Sequence, residues 1–332
     1  MRLAVVMSSP ILFPADRRTG ACLLHAAHLR GHRLWCLPPE SISEEAGGLV
    51  GLAYDIDFPI TDDLGIFWRR LQARVASRPP VLLDLKTLDA LMWRKDPPIH
   101  RGAAELLARL AGTIPCLNDP RALLRWASKA NVVERFGHLM PPSAIVSSAK
   151  GLRKAASSIP GSLIVKPLEG RGGLGIIRVP ADERSRLESL IAAEPALAES
   201  LTSGQGVLLQ QEVHGPMPGD VRILCLEGRL LGAMRRIPPA GEFRANVAMG
   251  AQVAPVELST SARGRWKALA GELAAEGLAF IGLDVIGPWL IEVNVVSPGG
   301  IPRLNAMLGL RLEREVLEWL ERQVEARRLE AV

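Results

Sequence analysis

SLIVKPLEGRGGLGIIR, residues 162–178, is the stretch on which the fold turns. An apolar strand over residues 163–165 delivers Lys166 and then enters a loop containing Gly170, Gly172, Gly173 and Gly175. Glycines let backbone amides close on phosphate oxygens, and a lysine at a strand end supplies a point charge. Two commoner loops are excluded by the order of residues. A Walker A loop places its lysine after the glycines, and a dinucleotide fingerprint opens a helix, whereas IIRV after these glycines is strand-like. A plain glycine-rich hairpin also fits the local pattern, so the remainder of the chain has to decide.

The second element is GLDVIGPWLIEVNVVSPGG, residues 282–300. Asp284 lies on one predicted strand, Gly287 and Pro288 turn the chain, and Glu292 and Asn294 stand two apart on the returning strand, sharing a face. Three oxygen donors on adjacent strands suit a hard cation such as Mg²⁺. Exposed polar positions would be the ordinary explanation. It fits poorly here because IGLDVI and WLIEVNVV are almost wholly apolar, and a carboxylate among buried neighbours is costly unless paired or coordinated.

Weaker signals accompany these two. Lys129, in RWASKANVVERF, is one of only seven lysines against 33 arginines, so its retention is unexpected, although a solvated helix position explains it alone. VLLQQE, residues 207–212, is an apolar strand ending in Gln211 and Glu212, which could hold adenine against a hinge or merely end a strand. Arg222, Arg235, Arg236 and Arg244 surround IPPAGEFRANVAMG, whose mixture of proline, glycine and charge reads as a mobile lid.

Outward from these motifs, residues 3–7, 34–37, 90–93 and 114–117 read as strands and 20–30 and 103–110 as helices, the alternation of a parallel sheet covered by helices. Residues 47–63 read as loop. Asp119 and Pro120 make a helix start, where a boundary is placed. Strands follow at 144–146, 163–165 and 176–179, then one helix over 182–199. Beyond residue 206 the chain is strand-rich, at 207–211, 221–226, 230–234, 281–286 and 289–295, with helices over 262–276 and 310–326 expected to cover that sheet. The division is 1–118, 119–204 and 205–332.

The 332 residues are too many for one small core and enough for two or three. A net charge of +5 suits anionic small substrates, and with neither a dense basic run nor interleaved aromatics nucleic acid is not expected. Cys22, Cys36, Cys116 and Cys225 form no CxxC pair and read as reduced residues of a cytoplasmic protein. MRLAVVM reads as a buried strand, and no apolar run approaches a bilayer span.

With these residues in order, the chain resembles bacterial glutathione synthetase, an ATP-grasp ligase. The matching stretches are MWRKDPP (92–98), Lys129 after NDPRALL, VKPLEGRGG (165–173), GDVRI (219–223), RIPPAGEFRAN (236–246), GLDVIG (282–287) and IEVNVVSP (291–298). The resemblance implies an α/β ATP-grasp fold: an amino-terminal parallel-sheet, Rossmann-like domain, a small central lid domain and a carboxy-terminal antiparallel-sheet catalytic domain. It implies ATP between the last two, Lys129 and Lys166 on its phosphates, and Gly170, Arg171, Gly172 and Gly173 in the loop covering them. Asp284, Glu292 and Asn294 would hold two Mg²⁺ ions, replaceable by Mn²⁺. Arg222 and Arg244 would steady the transferred phosphoryl group, and Arg94, Arg236, Asn246 and Ser297 would face the peptide substrate. A homo-oligomer is the family precedent.

The implied reaction joins γ-glutamylcysteine to glycine through an acyl phosphate. Departures cluster where peptide is expected. The first strand runs into MSSPILFPADRRTGA instead of the family's acidic residue and lysine–aspartate–serine segment, Ala251 and Gln252 replace glycine and arginine, and Val296 and Gly299 replace threonines. A ligase of another acid or amine therefore stays open, as does a nucleotide-binding protein without turnover. Retention of all three oxygen donors argues against the latter.

Overall fold

The computed structural model describes residues 1–10, 18–45, 47–170 and 172–330. Arg171, most of the segment after the first strand and the last two residues of the expected third domain lie outside this description. Among the described residues the fold is α/β, with three sheets following one another along the chain.

The first sheet has seven strands. β1 (Arg2–Val6) pairs in parallel with β2 (Arg33–Leu37) and β6 (Ala90–Trp93), and β6 in parallel with β7 (Cys116–Leu117). The other half is antiparallel: β4 (Gly48–Asp55) pairs with β2, with β3 (Ile42–Glu45) and with β5 (Val81–Asp84). The expected parallel sheet is thus mixed, and nearly half of the expected loop over 47–63 is the eight-residue β4. β4 buries Leu49, Val50 and Gly51 in succession and carries two glycines, so it shows no two-residue alternation to mark it as a strand. α1 (Thr19–Leu29) and α2 (Leu64–Ser77) cover one face, and α3 (Arg101–Ala108) the other.

α4 (Pro120–Trp126) begins where Asp119 accepts from the Arg121 amide, with proline at the first helical position. α5 (Lys129–Phe136) begins where Ser128 accepts from Ala130, so that Lys129 stands at a helix start. The second sheet is antiparallel, in the order β10 (Ile177–Val179), β9 (Leu163–Pro167), β11 (Val207–Gln211), β8 (Ser143–Val146). The expected boundary at residue 204 precedes β11, which is hydrogen-bonded into this sheet. The expected single helix over 182–199 is a 3₁₀ turn followed by α7 (Leu187–Ala193) and α8 (Pro195–Thr202), because Pro195 cannot continue a helix begun upstream.

The third sheet is antiparallel, in the order β14 (Gln252–Pro255), β13 (Arg229–Ile237), β12 (Asp220–Leu226), β15 (Phe280–Ile286), β16 (Trp289–Asn294). α9 (Thr260–Ala275) packs on β12 and β13 as expected. α11 (Leu312–Glu330) seats instead mainly on α1, with α10 (Ile301–Leu308) beside it. Its buried Leu312, Val316, Leu317, Leu320 and Val324 share a core with Leu23 and Leu24 of α1 and with Leu224 and Leu226 of β12. The amino- and carboxy-terminal units are therefore packed through common cores, whereas the second sheet and its helices have one of their own. Among the described residues no helix is long and apolar enough to cross a membrane.

Candidate functional site

A cavity of about 940 Å³ lies where the three units meet. Lys129, Gly170 and Gly172 line it from the central side, Arg222, Arg236, Glu292 and Asn294 from the third sheet, and Arg94 from the end of β6.

β9 alternates Leu163 and Val165 into the central core with Ile164 and Lys166 on the opposite face. Lys166 is buried, and its ammonium donates to Oε1 of Gln210 at 2.8 Å. Gln210, itself buried, donates in turn to the Ser143 hydroxyl. Burial pulls the Lys166 ammonium down to about 8; the pull of Glu292 opposes this and the push of Lys129 adds to it. Gln210 was missed in the sequence, although the alternation of VLLQQE puts it on the lysine's face. The same alternation turns the expected Gln211 side chain to the other face. Glu212 returns to the lysine's face, where Nε of Arg178 donates to it at 2.8 Å.

The glycine loop is fixed at its entry by the Lys129 amide, which donates to the Leu168 carbonyl at 2.9 Å. Gly173 has φ +81°, and a Cβ there would stand 2.7 Å from Oδ1 of Asn246, so this loop and the segment after β13 touch with no room for a side chain. Arg244 reinforces the contact: Nη1 donates to the Gly173 carbonyl at 3.2 Å, while Nε and Nη2 grip Glu242 at 3.0 and 2.7 Å. These bonds and the two amide bonds to Glu242 hold its carboxyl down at about 2. Arg244 thus rests on its own loop, away from the oxygen donors of the third sheet.

Those donors come together as expected. Asp284 is opposite Glu292 in the β15–β16 register, and Gly282 is opposite Asn294. Nδ2 of Asn294 lies 3.2 Å from Oδ2 of Asp284, an orientation set by hydrogen bonding that a flip of the carboxamide would reverse. Oε1 of Glu292 pairs with Nζ of Lys129 at 3.1 Å. Asp284 is buried and gripped by Nε and Nη2 of Arg222, with Nη2 of Arg236 2.9 Å from its Oδ2. Burial would raise its pKa, but Arg222 and Arg236 overcome that and hold it well below the usual carboxylate range. Two carboxylates and a carboxamide are a hard donor set suited to Mg²⁺, whose remaining positions go to water and phosphate oxygens. Among the described residues no group of three His, Cys, Asp or Glu side chains forms a self-sufficient metal site.

Arg236, expected to face substrate, is buried and bidentate on Asp220 at 2.7 and 2.5 Å. Asp220 was not singled out in the sequence. On the far side, Arg94 is buried, donates from Nη2 to the Pro298 carbonyl at 3.0 Å, and accepts at its own carbonyl from the Ser297 hydroxyl. Burial pulls its guanidinium down to about 10, against the pull of Asp96. Trp68, Arg303 and Asp96 also line this end and were missed.

The chain is similar to known proteins over most of its length. Residues 130–309 match the model of the prokaryotic glutathione synthetase ATP-grasp domain, and residues 1–124 that of the prokaryotic glutathione synthetase N-terminal domain. Glutathione synthetase of Parasynechococcus marenigrum (strain WH8102) is 33% identical over 327 residues, covering 96% of this chain and 99% of that protein. That of Synechocystis sp. (strain ATCC 27184 / PCC 6803 / Kazusa) is 36% identical over 245 residues, 73% of this chain and 74% of that protein. Among solved structures, D-cycloserine synthetase DcsG superposes with a TM-score of 0.62 at 18% identity over 96% of this chain and 99% of its own. VanG D-Ala:D-Ser ligase from Enterococcus faecalis gives 0.63 at 14% identity over 97% and 99%. At those identities the structures speak for the fold.

Proposed function

Because the chain belongs to the prokaryotic glutathione synthetase family, we propose that it joins γ-glutamylcysteine to glycine at the expense of ATP. It is an ATP-dependent ligase of ATP-grasp fold that forms an amide bond. The observation that carries the substrate-level reading is one cavity lined by Lys129, Gly170 and Gly172 and by Glu292 and Asn294, with Lys129 reaching Glu292 at 3.1 Å and the charge of Glu292 felt at buried Lys166.

A carboxylate oxygen of the acid attacks the γ-phosphorus of ATP, the bond to ADP breaks, and an acyl phosphate forms. The amine of the second substrate then attacks the acyl carbon, losing its proton as phosphate departs. Neither step needs a protein nucleophile; both need negative charge neutralised and the reactants held in line. Lys129 and Lys166 take the phosphates, with amides around Gly170, Gly172 and Gly173 closing over them. Arg222 and Arg244 steady the transferred group, for which Arg244 must leave Glu242. Arg94, Arg236, Asn246 and Ser297 orient the peptide acid.

Family ligases use ATP and Mg²⁺; Asp284, Glu292 and Asn294 would hold two such ions here, with Mn²⁺ able to substitute. When bound, the metal neutralises phosphate oxygens. A homo-oligomer is part of the same reading, with light scattering as its check. The test of function is phosphate release with Mg²⁺ and ATP, with each substrate omitted in turn and a panel of other acids and amines alongside. Release requiring both γ-glutamylcysteine and glycine, with tripeptide formed, is expected. Activity confined to another pair would keep the ligase and replace its substrates.

A further inference from the structure

We propose that Arg303, with Arg18 and Arg94, forms a subsite for a second carboxylate of the acid substrate, one that takes no part in the reaction. This deepens the reading of the cavity as the site of a ligase acting on γ-glutamylcysteine and rests on it: that acid carries a glutamyl α-carboxylate besides the cysteinyl one that is activated.

The subsite lies where the starts of α1 and α10 meet the end of β6. The Thr19 hydroxyl accepts from the amides of Gly300 and Ile301 at 3.1 and 3.2 Å, which ties the two helix starts together. Those amides are thereby occupied, and binding an anion falls to side chains. Nη2 of Arg94 donates to the Pro298 carbonyl at 3.0 Å, and the guanidinium lies 5.9 Å from the centroid of the Phe280 ring, so this arginine is fixed at the same junction. Arg18 immediately precedes Thr19, Arg303 stands in the first turn of α10, and all three arginines line the cavity.

Charge and hydrogen bonding at this junction both call for an anion. Among the described residues the carboxylates lining the cavity are those of Asp96, Glu169 and Glu292. Glu292 pairs with Lys129 and Glu169 with Arg101, which leaves Asp96 beside the three guanidinium groups. Arg222 and Arg236, the other lining arginines, are committed to Asp284 and Asp220. Nε of Arg94 is buried and has no hydrogen-bond partner among the described residues, a cost that an incoming carboxylate removes. Gly20 keeps that edge of the arginine clear: a Cβ there would already stand 3.7 Å from Nε, and a longer side chain would cover it. Met7, Ala21 and Trp68 also line this end, and an ion pair formed beside apolar groups is stronger than one in water. The planar fork of arginine matches a carboxylate with two parallel bonds, which selects for that group over a neutral one.

The test compares kcat/KM for γ-glutamylcysteine and for 4-aminobutyrylcysteine, which lacks only the glutamyl α-carboxylate, in the parent protein, R303M and R303Q. The parent should prefer γ-glutamylcysteine by at least about tenfold, the worth of one charge-assisted contact. R303M should lose at least about tenfold with γ-glutamylcysteine, mainly through KM, while its kcat/KM for the analogue stays within about threefold of the parent's. Equal loss with both substrates would show a merely structural role and overturn the inference, as would an unchanged preference. If R303M fails to fold, the same comparison in R303Q decides. A parent protein that turns over both acids equally well also overturns it. A parent idle with γ-glutamylcysteine but active with another acid overturns the substrate reading instead; the subsite then stands if that acid carries a second carboxylate whose removal costs at least about tenfold, and falls if it does not.

Discussion

The two walls of the cavity solve opposite electrostatic problems in opposite ways. On the central side Lys166 is a buried cation whose hydrogen-bond partner is the neutral Gln210. On the carboxy-terminal side Asp284 is a buried anion held by Arg222 and Arg236, and Asp220 is one held by Arg236. An under-compensated buried charge costs stability and attracts an opposite charge; a fully paired one is stable and must exchange partners before it can bind anything new. The central wall is thus ready for phosphate as it stands. The other wall has to be opened. Packing reinforces the difference, for the central sheet has its own core while the third sheet is packed into cores shared with the amino-terminal unit.

The largest effect is expected on the paired wall. Glu292→Gln removes a cation ligand at a partly exposed position, so turnover should fall by at least about 100-fold with the thermal midpoint nearly unmoved. Asp284→Asn should lose turnover as heavily and also cost about 3 kcal/mol of stability, because Arg222 and Arg236 are left under-compensated in the interior. Urea unfolding of the two variants separates the effects. Normal turnover in either would falsify the metal role.

Lys166→Met probes the other wall and should reverse the sign. Affinity for ATP should fall by roughly 100-fold, since a phosphate contact is lost. Stability should rise by about 1 kcal/mol, because a buried cation gives way to a neutral chain of similar length. A destabilised K166M would mean that the lysine is fully compensated after all, and the contrast between the walls would collapse.

The pH dependence sharpens the same point. Burial in the folded protein pulls the Lys166 ammonium down to about 8, from an ordinary lysine's 10.5. Between those pH values the unfolded chain holds the proton that the folded chain has lost, so this group's contribution to stability increases as pH rises from about 8 to 10.5. Its full span is about 3–4 kcal/mol. The parent-minus-K166M difference in urea midpoint, followed from pH 7 to 10.5, should trace that rise. In parallel, the KM for ATP should climb above pH 8 as the ammonium is lost. A flat difference curve would show that the lysine keeps its ordinary affinity for protons.

The smallest change is expected from Gln210→Ala. Removing the neutral partner leaves Lys166 less well held, and the KM for ATP should rise about threefold to tenfold. An unaltered KM would mean that the carboxamide does nothing to orient the ammonium.

How far the site could be read in advance depended on the kind of signal. Asp284, Glu292 and Asn294 stood out because polar side chains interrupted apolar strands at a spacing of two, and Lys166 because a lysine at a strand end ran into glycines. Asp220 and Gln210 gave no such contrast: the first begins a strand, and the second sits in a polar pair whose members differ only in the face they occupy. In the amino-terminal unit β4 reads as loop in the sequence, since its partners β2 and β5 are brought to it by the fold and β3 alone adjoins it along the chain.

Local chemistry in the chain therefore determined the strand–lysine–glycine loop, the acidic hairpin, the helix start at Asp119 and Pro120, and strands β12, β13, β15 and β16 of the third sheet, though not β14. Each depends on residues within a few positions of one another, where spacing and backbone preference act directly. Tertiary structure alone decided the pairing of Arg236 with Asp220 and Asp284, the resting of Arg244 on Glu242 and Gly173, and the seating of α11 on α1. In these three, a buried charge, a loop arginine and an apolar helix face each had several chemically acceptable partners along the chain. Which one it met was settled by strand register and by which surfaces remained to be buried.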